Sequence, residues 1–348
     1  SALGAGPREQ APAASARSAA RERVARWCNG IAGSSRALPS QVNGAGGVDP
    51  RARTHYRRVP MAAASLVGHG GPDGAQAPRF VEVNGARLAY VEQGQGTPVV
   101  FLHGAVSDHR LWDRHLPIVG ERHRAIAYSQ RYFGTGAWGS SWPPFGVQTH
   151  ADDLVAFLRG LGAGPAHVVA WSYAGHGVLT AALAHPELIR SAFIHEPGVP
   201  SYVTDPAELS ALGDDMKAMF GPVFGAVERG ELQEAVRLLL DGSGQREGYF
   251  AAQPAERQAI NLDNARTMPL LLSQPQPPAI TCADLASLKV PVTIAHGELS
   301  RPTFGVVSRA ASRCIPGQHL VVPGATHMWP EEDAAAFCAA VLRFIEAV

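Results

Sequence analysis

The amino-acid sequence predicts an α/β fold: a mostly parallel eight-stranded sheet with helices on both faces and a helical insertion late in the chain. Three observations predict it. Between residues 79 and 348, short apolar runs rich in β-branched residues alternate with stretches of helical periodicity, the pattern of parallel strands joined by crossover helices. The pair Asn84-Gly85 separates two strand-like runs, the strongest short-range hairpin signal. From 198 to 287 the alternation lapses, and apolar residues recur at helical spacing instead.

Taken in order, residues 1–77 are rich in Ala, Gly, Arg, Ser and Pro, without sustained periodicity apart from a short helical stretch at Ser15–Trp27. Such composition predicts a disordered extension. Met61 offers a start, which would make the preceding residues an upstream extension or a cloning remnant. A second reading is a secretory signal, with Arg57-Arg58, the apolar stretch Val59–Val67 and Ala75-Gln76-Ala77 as its three parts. That stretch is interrupted and Ala-rich, so the expectation is a cytoplasmic protein, with export the alternative.

Order is expected from about residue 78. Phe80–Val83 and Arg87–Glu92 form the hairpin. Pro98–Leu102 is a continuous apolar run, as a strand buried on both faces requires. A helix at about Asp108–Val119 leads to the strand Ala125–Ser129, a Gly- and Trp-rich loop at Gln130–Phe145, and a helix at His150–Leu161. The strand at 167–171 and its helix follow, then the strand Ile189–Ile194. After the insertion come the strand Val290–Ala295, a helix at about Thr303–Arg313, the strand His319–Val322 and a closing helix Glu331–Ala347. Residues 78–197 and 288–348 therefore make one core, and 198–287 a helical cap.

Composition excludes several functions. The 348 residues carry 30 basic and 30 acidic side chains, a balance unlike that of a nucleic-acid binder. An excess of Arg in residues 1–60 is offset by the remainder, and Lys217 and Lys289 are the only lysines. Four cysteines (Cys28, Cys282, Cys314 and Cys338) show no metal-binding spacing. Cys28 lies in the extension, which leaves an odd number in the core, so reduced thiols are expected. No apolar run approaches the roughly 18 residues of a membrane span. No dinucleotide fingerprint, phosphate-binding loop or metal cluster is present, and no cofactor or metal is expected.

The chemistry-bearing stretch is His167-Val168-Val169-Ala170-Trp171-Ser172-Tyr173-Ala174-Gly175. A strand runs into Ser172, small residues stand two before and two after it, and an Ala/Leu-rich helix follows. This is the pattern of a nucleophile elbow, a turn too sharp for large side chains at either flank. It would lift the Ser172 hydroxyl off the sheet and aim the Tyr173 amide at a bound carbonyl oxygen. The bland alternative is a serine capping a helix. Placement favours the elbow. His103-Gly104-Ala105, Ser172, Glu196, Glu298 and His327 all follow strand ends, where parallel sheets hold their chemistry.

With these residues the chain resembles the α/β-hydrolase fold superfamily over about residues 79–348. The resemblance implies a capped serine hydrolase with the order nucleophile, acid, histidine. It assigns Ser172 as nucleophile, His327 as base, and the Ala105 and Tyr173 amides as oxyanion hole. Two departures stand out. The elbow reads Ala-Trp-Ser-Tyr-Ala where Gly-x-Ser-x-Gly is usual. The position where the family commonly has an Asp, three beyond the Gly of His296-Gly297, is Ser300. A right-handed crossover lays the strand after the elbow beside it, which brings Glu196 close to Ser172. Glu196 is thus the expected acid and Glu298 the possible alternative. An acid, and in particular a Glu, after that earlier strand resembles the zearalenone-type lactonases.

Other residues have quieter readings. His103 is expected to brace its loop rather than titrate. Trp112, Tyr173 and Trp329 could line an acyl pocket or simply pack. His195 is expected to face a helix layer, and Asp152 and Asp153 to be solvated. The leading function is hydrolysis of a carboxylic ester or lactone, the partner being a small molecule with an ester-like carbonyl. Cleavage of a C–C or amide bond by the same triad stays open, as does a non-catalytic relative that binds a ligand in the same pocket. An Asp-nucleophile hydrolase is disfavoured by Ser172. The oligomeric state is left open.

Overall fold

The computed structural model describes residues 77–317 and 319–348. The disordered extension, the helix at 15–27 and the signal-like segment expected for residues 1–77 lie, apart from Ala77, outside the described residues.

Eight strands form one sheet: β1 (Arg79–Val83), β2 (Ala86–Gln93), β3 (Pro98–Leu102), β4 (Arg124–Tyr128), β5 (Ala166–Trp171), β6 (Ile189–His195), β7 (Val292–Gly297) and β8 (His319–Val322). Their spatial order is β1-β2-β4-β3-β5-β6-β7-β8. β2 runs antiparallel to both β1 and β4, and every other neighbour pair is parallel. The hairpin turn has Asn84 at φ 46° and Gly85 at φ 75°, with Val83 opposite Ala86. Two left-handed central residues make a turn whose twist suits the strands it joins. β5 and β7 are buried along their whole length, whereas β8 is half-exposed at the sheet edge.

Helix boundaries shift from the expected ones where local chemistry intervenes. The Asp108 carboxylate accepts from the Arg110 amide and starts a 3₁₀ turn at His109–Arg114 before the helix Leu116–Gly120. The closing helix is broken at Asp333, which caps Ala334–Glu346 through the Ala336 amide at 2.9 Å. Between β6 and β7 lie the helices Pro206–Glu228, Leu232–Ser243, Tyr249–Ala252, Ala255–Asp263, Met268–Ser273 and Cys282–Ala286. The helix Pro302–Cys314 follows β7.

Two expectations are corrected. Asp153 is buried, not solvated. Its carboxylate takes two 2.7 Å hydrogen bonds from buried Arg131 and one of 3.0 Å from Asn84. Arg131 also donates to the Val83 and Asn84 carbonyls, so the hairpin tip is tied to the helix Val147–Gly160. A charge in that position needs such partners to be buried at all. Asp152, one residue earlier, is exposed as expected. The second correction concerns the thiols. Cys282 and Cys314 form a disulfide with their Cα atoms 5.0 Å apart, and among the described residues Cys338 is free and buried. Counting cysteines could not reveal that two helix ends meet.

Five histidines, His103, His115, His150, His176 and His195, are almost wholly enclosed. Burial pushes His115 down to about 3 and the other four to about 4. The folded state therefore keeps them neutral while the unfolded chain protonates near pH 6.5. Stability is full above that value and is lost as pH falls toward 4, by about 1.4 kcal/mol per histidine per pH unit. Five such groups acting together can remove a stability of the usual ~5–15 kcal/mol within two units. Thermal melts from pH 7.5 to 4.5 should show a steep fall in Tm below pH 6.5. A Tm unchanged between pH 6.5 and 5 would contradict this account.

Candidate active site

β5 delivers Ser172 into the turn at φ 57°, ψ −119°, a strained conformation costing roughly 1–3 kcal/mol that surrounding contacts must hold. The Ser172 amide donates to the His195 carbonyl at 2.9 Å, and the Gly175 amide to the Ser172 carbonyl at 2.9 Å. Ala170 and Ala174 are buried at the flanks. A Cβ on Gly175 would lie 2.7 Å from Ile194 Cγ2 and 3.0 Å from Pro197 Cα, so the elbow helix packs on β6 only with glycine there.

His327, in the loop after β8, bridges two side chains. Its Nε2 is 3.0 Å from Ser172 Oγ and its Nδ1 is 2.6 Å from Glu196 Oε2. Its backbone carbonyl accepts from Trp171 Nε1 at 3.0 Å and lies 3.2 Å from His195 Nε2. The Phe304 ring stacks on the imidazole, with centroids 3.5 Å apart and planes at 5°. The imidazole is therefore gripped through its backbone and through one ring face.

Glu196 stands just beyond β6, fully buried, at φ 52°. Its Oε1 accepts from the Gly297 amide at 2.8 Å and from the Ser300 hydroxyl. Burial by itself would raise this carboxyl. The imidazoles of His195 and His327 and the Ser300 hydroxyl reverse the balance, and it lies well below the usual carboxylate range. Glu298 is elsewhere: its carboxylate accepts from the Gly324 amide at 2.9 Å, at the exposed edge of the sheet. Of the two candidate acids, Glu196 is the one hydrogen-bonded to His327.

The loop 103–105 crosses closely over the elbow. A Cβ on Gly104 would sit 3.3 Å from Ser172 Cβ. The His103 ring lies 2.8 Å, through Nδ1, from the Gly104 carbonyl, and its Nε2 accepts from the Gln130 amide at 3.0 Å. Burial holds its pKa at about 4, so it is a neutral brace between two loops, as expected. Ala105 and Tyr173 flank Ser172 in the wall of a cavity of about 270 Å³. The Tyr173 hydroxyl is occupied by His150 Nδ1 at 2.8 Å.

Trp112 and Trp329 do not line this cavity, which corrects the possibility raised for both. Trp112 is fully buried among Phe101, His115 and Phe337, and Trp329 packs on His195 and Phe337. Their rings belong to the layer between the sheet and the C-terminal helix. His195, Glu196 and His327 bring metal-ligand atoms within 4.8 Å of one another. Glu196 and His327 are already committed to the amide, hydroxyl and imidazole contacts described, and His195 Nε2 faces the His327 carbonyl, so the donor set suits a proton relay better than an ion.

The reading from sequence missed Ser300 as a donor, Phe304 as the stacking ring and Trp171 as a support for the His327 backbone. Ser300 alone left a trace, as the residue where a carboxylate was missing. Ser300→Ala would strip a hydroxyl from a buried anion, at a cost of about 1–3 kcal/mol. That loss should appear as stability, because the anion stays buried in the folded state. Thermal melts at pH 7.5 should show Tm lowered by several degrees for Ser300→Ala and little changed for Glu298→Gln. Equal Tm values in the two variants would mean the hydroxyl does not hold Glu196.

Comparison with known proteins bears on the family and the fold. The Alpha/beta hydrolase family matches residues 99–341. A curated relative, 2-(acetamidomethylene)succinate hydrolase from Mesorhizobium japonicum, is 27% identical over 279 residues, covering 77% of this chain and 95% of its own. Among solved structures, the esterase RhEst1 from Rhodococcus sp. ECU1013 matches with a TM-score of 0.63 at 23% identity, over 77% of this chain and 98% of that one. The enol-lactonase from Burkholderia xenovorans LB400 matches with a TM-score of 0.60 at 16% identity, over 77% and 100%. At these identities the structural likeness is one of fold. The family match spans the hairpin-flanked sheet from β3 to the last helix, and the chain belongs to the alpha/beta hydrolase family.

Proposed function

We propose that the protein is a cofactor-independent serine hydrolase that cleaves a carboxylic ester or lactone through an acyl-enzyme on Ser172. The observation that carries this is the continuous line Glu196 Oε2, His327 Nδ1, His327 Nε2, Ser172 Oγ, with steps of 2.6 and 3.0 Å, ending at the wall of a cavity. Fold relatives include an esterase and an enol-lactonase and also a meta-cleavage product hydrolase, so cleavage of a C–C bond by the same residues is kept as the second reading.

In this reading His327 takes the Ser172 proton as Oγ attacks the carbonyl carbon. The Ala105 and Tyr173 amides hold the oxyanion, each contributing a few kcal/mol in sites of this kind. Glu196 keeps the Nδ1 proton on His327 and stabilises the imidazolium without taking the proton itself. His327 then protonates the leaving oxygen and activates the water that clears the acyl-enzyme. The helical segment 198–287 acts as the cap and selects the substrate.

A fluorophosphonate probe should form an adduct on Ser172 in folded protein and none in Ser172→Ala. Failure to label the folded protein would end the proposal. Glu196→Gln keeps the shape but removes the charge, and ester turnover should fall by about four orders of magnitude. A loss smaller than tenfold, with circular dichroism unchanged, would remove Glu196 from the triad.

A further inference from the structure

The cavity beside Ser172 is walled by two elements. The core contributes the elbow, the loop 103–105, Phe304 and His327, and the helical segment contributes Leu212, Met216, Met219, Leu240 and Leu271, among others. None of the lining residues is Lys, Arg, Asp or Glu. The polar side chains in the wall besides Ser172 and His327 are neutral.

We infer that this cavity admits uncharged, lipophilic esters or lactones and excludes those carrying a carboxylate on the part that enters the wall of the helical segment. The inference deepens the hydrolase reading and rests on it for the bond that is broken, but not for which molecules the cavity holds.

A cation beside the cavity, Arg301, is already committed. Arg301 precedes the lining residues Thr303 and Phe304. Its Nε and Nη2 donate to Asp215 at 2.9 and 2.7 Å, and its Nη1 donates to the Gly242 carbonyl at 2.7 Å. Asp215 in turn accepts from the Thr303 amide at 2.8 Å and its hydroxyl. This pair cancels its own charge while it fastens the helix Pro206–Glu228 to the start of the helix Pro302–Cys314. Freeing Arg301 for a substrate would leave Asp215 unpaired and loosen that junction. A carboxylate brought into the apolar wall would therefore lose hydration with no cationic partner in exchange, a large penalty. Methionines among the lining residues, unbranched and adaptable, suit a range of apolar shapes rather than one rigid outline.

The test compares three esters that share a leaving group and differ at the far end of the acyl chain: 4-nitrophenyl hexanoate, the 4-nitrophenyl half-ester of adipic acid, and the methyl ester of that half-ester. At pH 7.5 the half-ester carries a terminal carboxylate. Its kcat/KM should be at least a hundredfold below that of the hexanoate, and methylation should restore most of the loss. A half-ester within tenfold of the hexanoate overturns the inference. Met216→Arg and Leu271→Arg, on different helices, should each narrow the ratio at least tenfold. If both fold and neither narrows it, the discrimination does not come from this wall and the inference falls.

A second readout separates this inference from the hydrolase reading. Ser172→Ala is loaded with the neutral dye N-phenyl-1-naphthylamine, and ethyl hexanoate and monoethyl adipate compete for it. If no ester is turned over but the neutral compound displaces the dye at least a hundredfold better, the cavity assignment stands and the hydrolase reading fails. Equal displacement overturns the cavity assignment whether or not esters are turned over.

Discussion

A single buried carboxylate organises the candidate site. Glu196 is enclosed at the end of β6, where an anion without donors would cost several kcal/mol. Its donors come from two other places in the fold: Gly297 and Ser300 after β7, and His327 after β8. Satisfying this one group therefore draws the ends of three neighbouring strands together. The His327 carbonyl then meets Trp171 at the end of β5, and the imidazole meets Ser172. The spacing between proposed nucleophile and base is a consequence of how the carboxylate is solvated by protein.

Much of this was legible from the chain because it follows from topology. A strand, a small-x-Ser-x-small turn and a helix define the elbow by steric room, and the strand order puts β6 beside β5. From that adjacency alone Glu196 could be preferred to Glu298. The eight strands were readable because β3, β5 and β7 are buried runs with little polar interruption. What stayed hidden depends on how helices dock. Trp112 and Trp329 sit near the right loops in sequence, yet their rings point into the layer around Phe337. Asp153 looks solvated on a helical wheel until Asn84 at the hairpin tip and Arg131 after β4 reach it. Cys282 and Cys314 are 32 residues apart, and only the packing of two helix ends makes them partners. Phe304 carried no signal, because stacking on His327 needs the angle of the helix Pro302–Cys314.

The division of labour between core and helical segment follows the same physics. Groups that must hold charge are placed at strand ends, where backbone amides and neighbouring side chains supply donors. The segment between β6 and β7 supplies apolar surface to the cavity, and its Asp215 is closed off by Arg301 from beyond β7. In the proposed reading, chemistry and selectivity can then vary separately. A change at Leu212 or Met216 reshapes the cavity while the hydrogen bonds to His327 come from Glu196, Ser172 and Trp171.

Ser300 shows how one displaced residue constrains another. A second carboxylate at that position would lie within hydrogen-bond reach of Glu196, and two anions cannot share so small a buried space without one taking up a proton. A neutral donor resolves this. The serine hydroxyl lowers the cost of the buried anion that an aspartate would have raised, and it leaves the Gly297 amide free to bind the same oxygen. The carboxylate after β6 and the serine after β7 are thus one electrostatic arrangement, and the departure from the family pattern at 300 is the physical counterpart of the acid at 196.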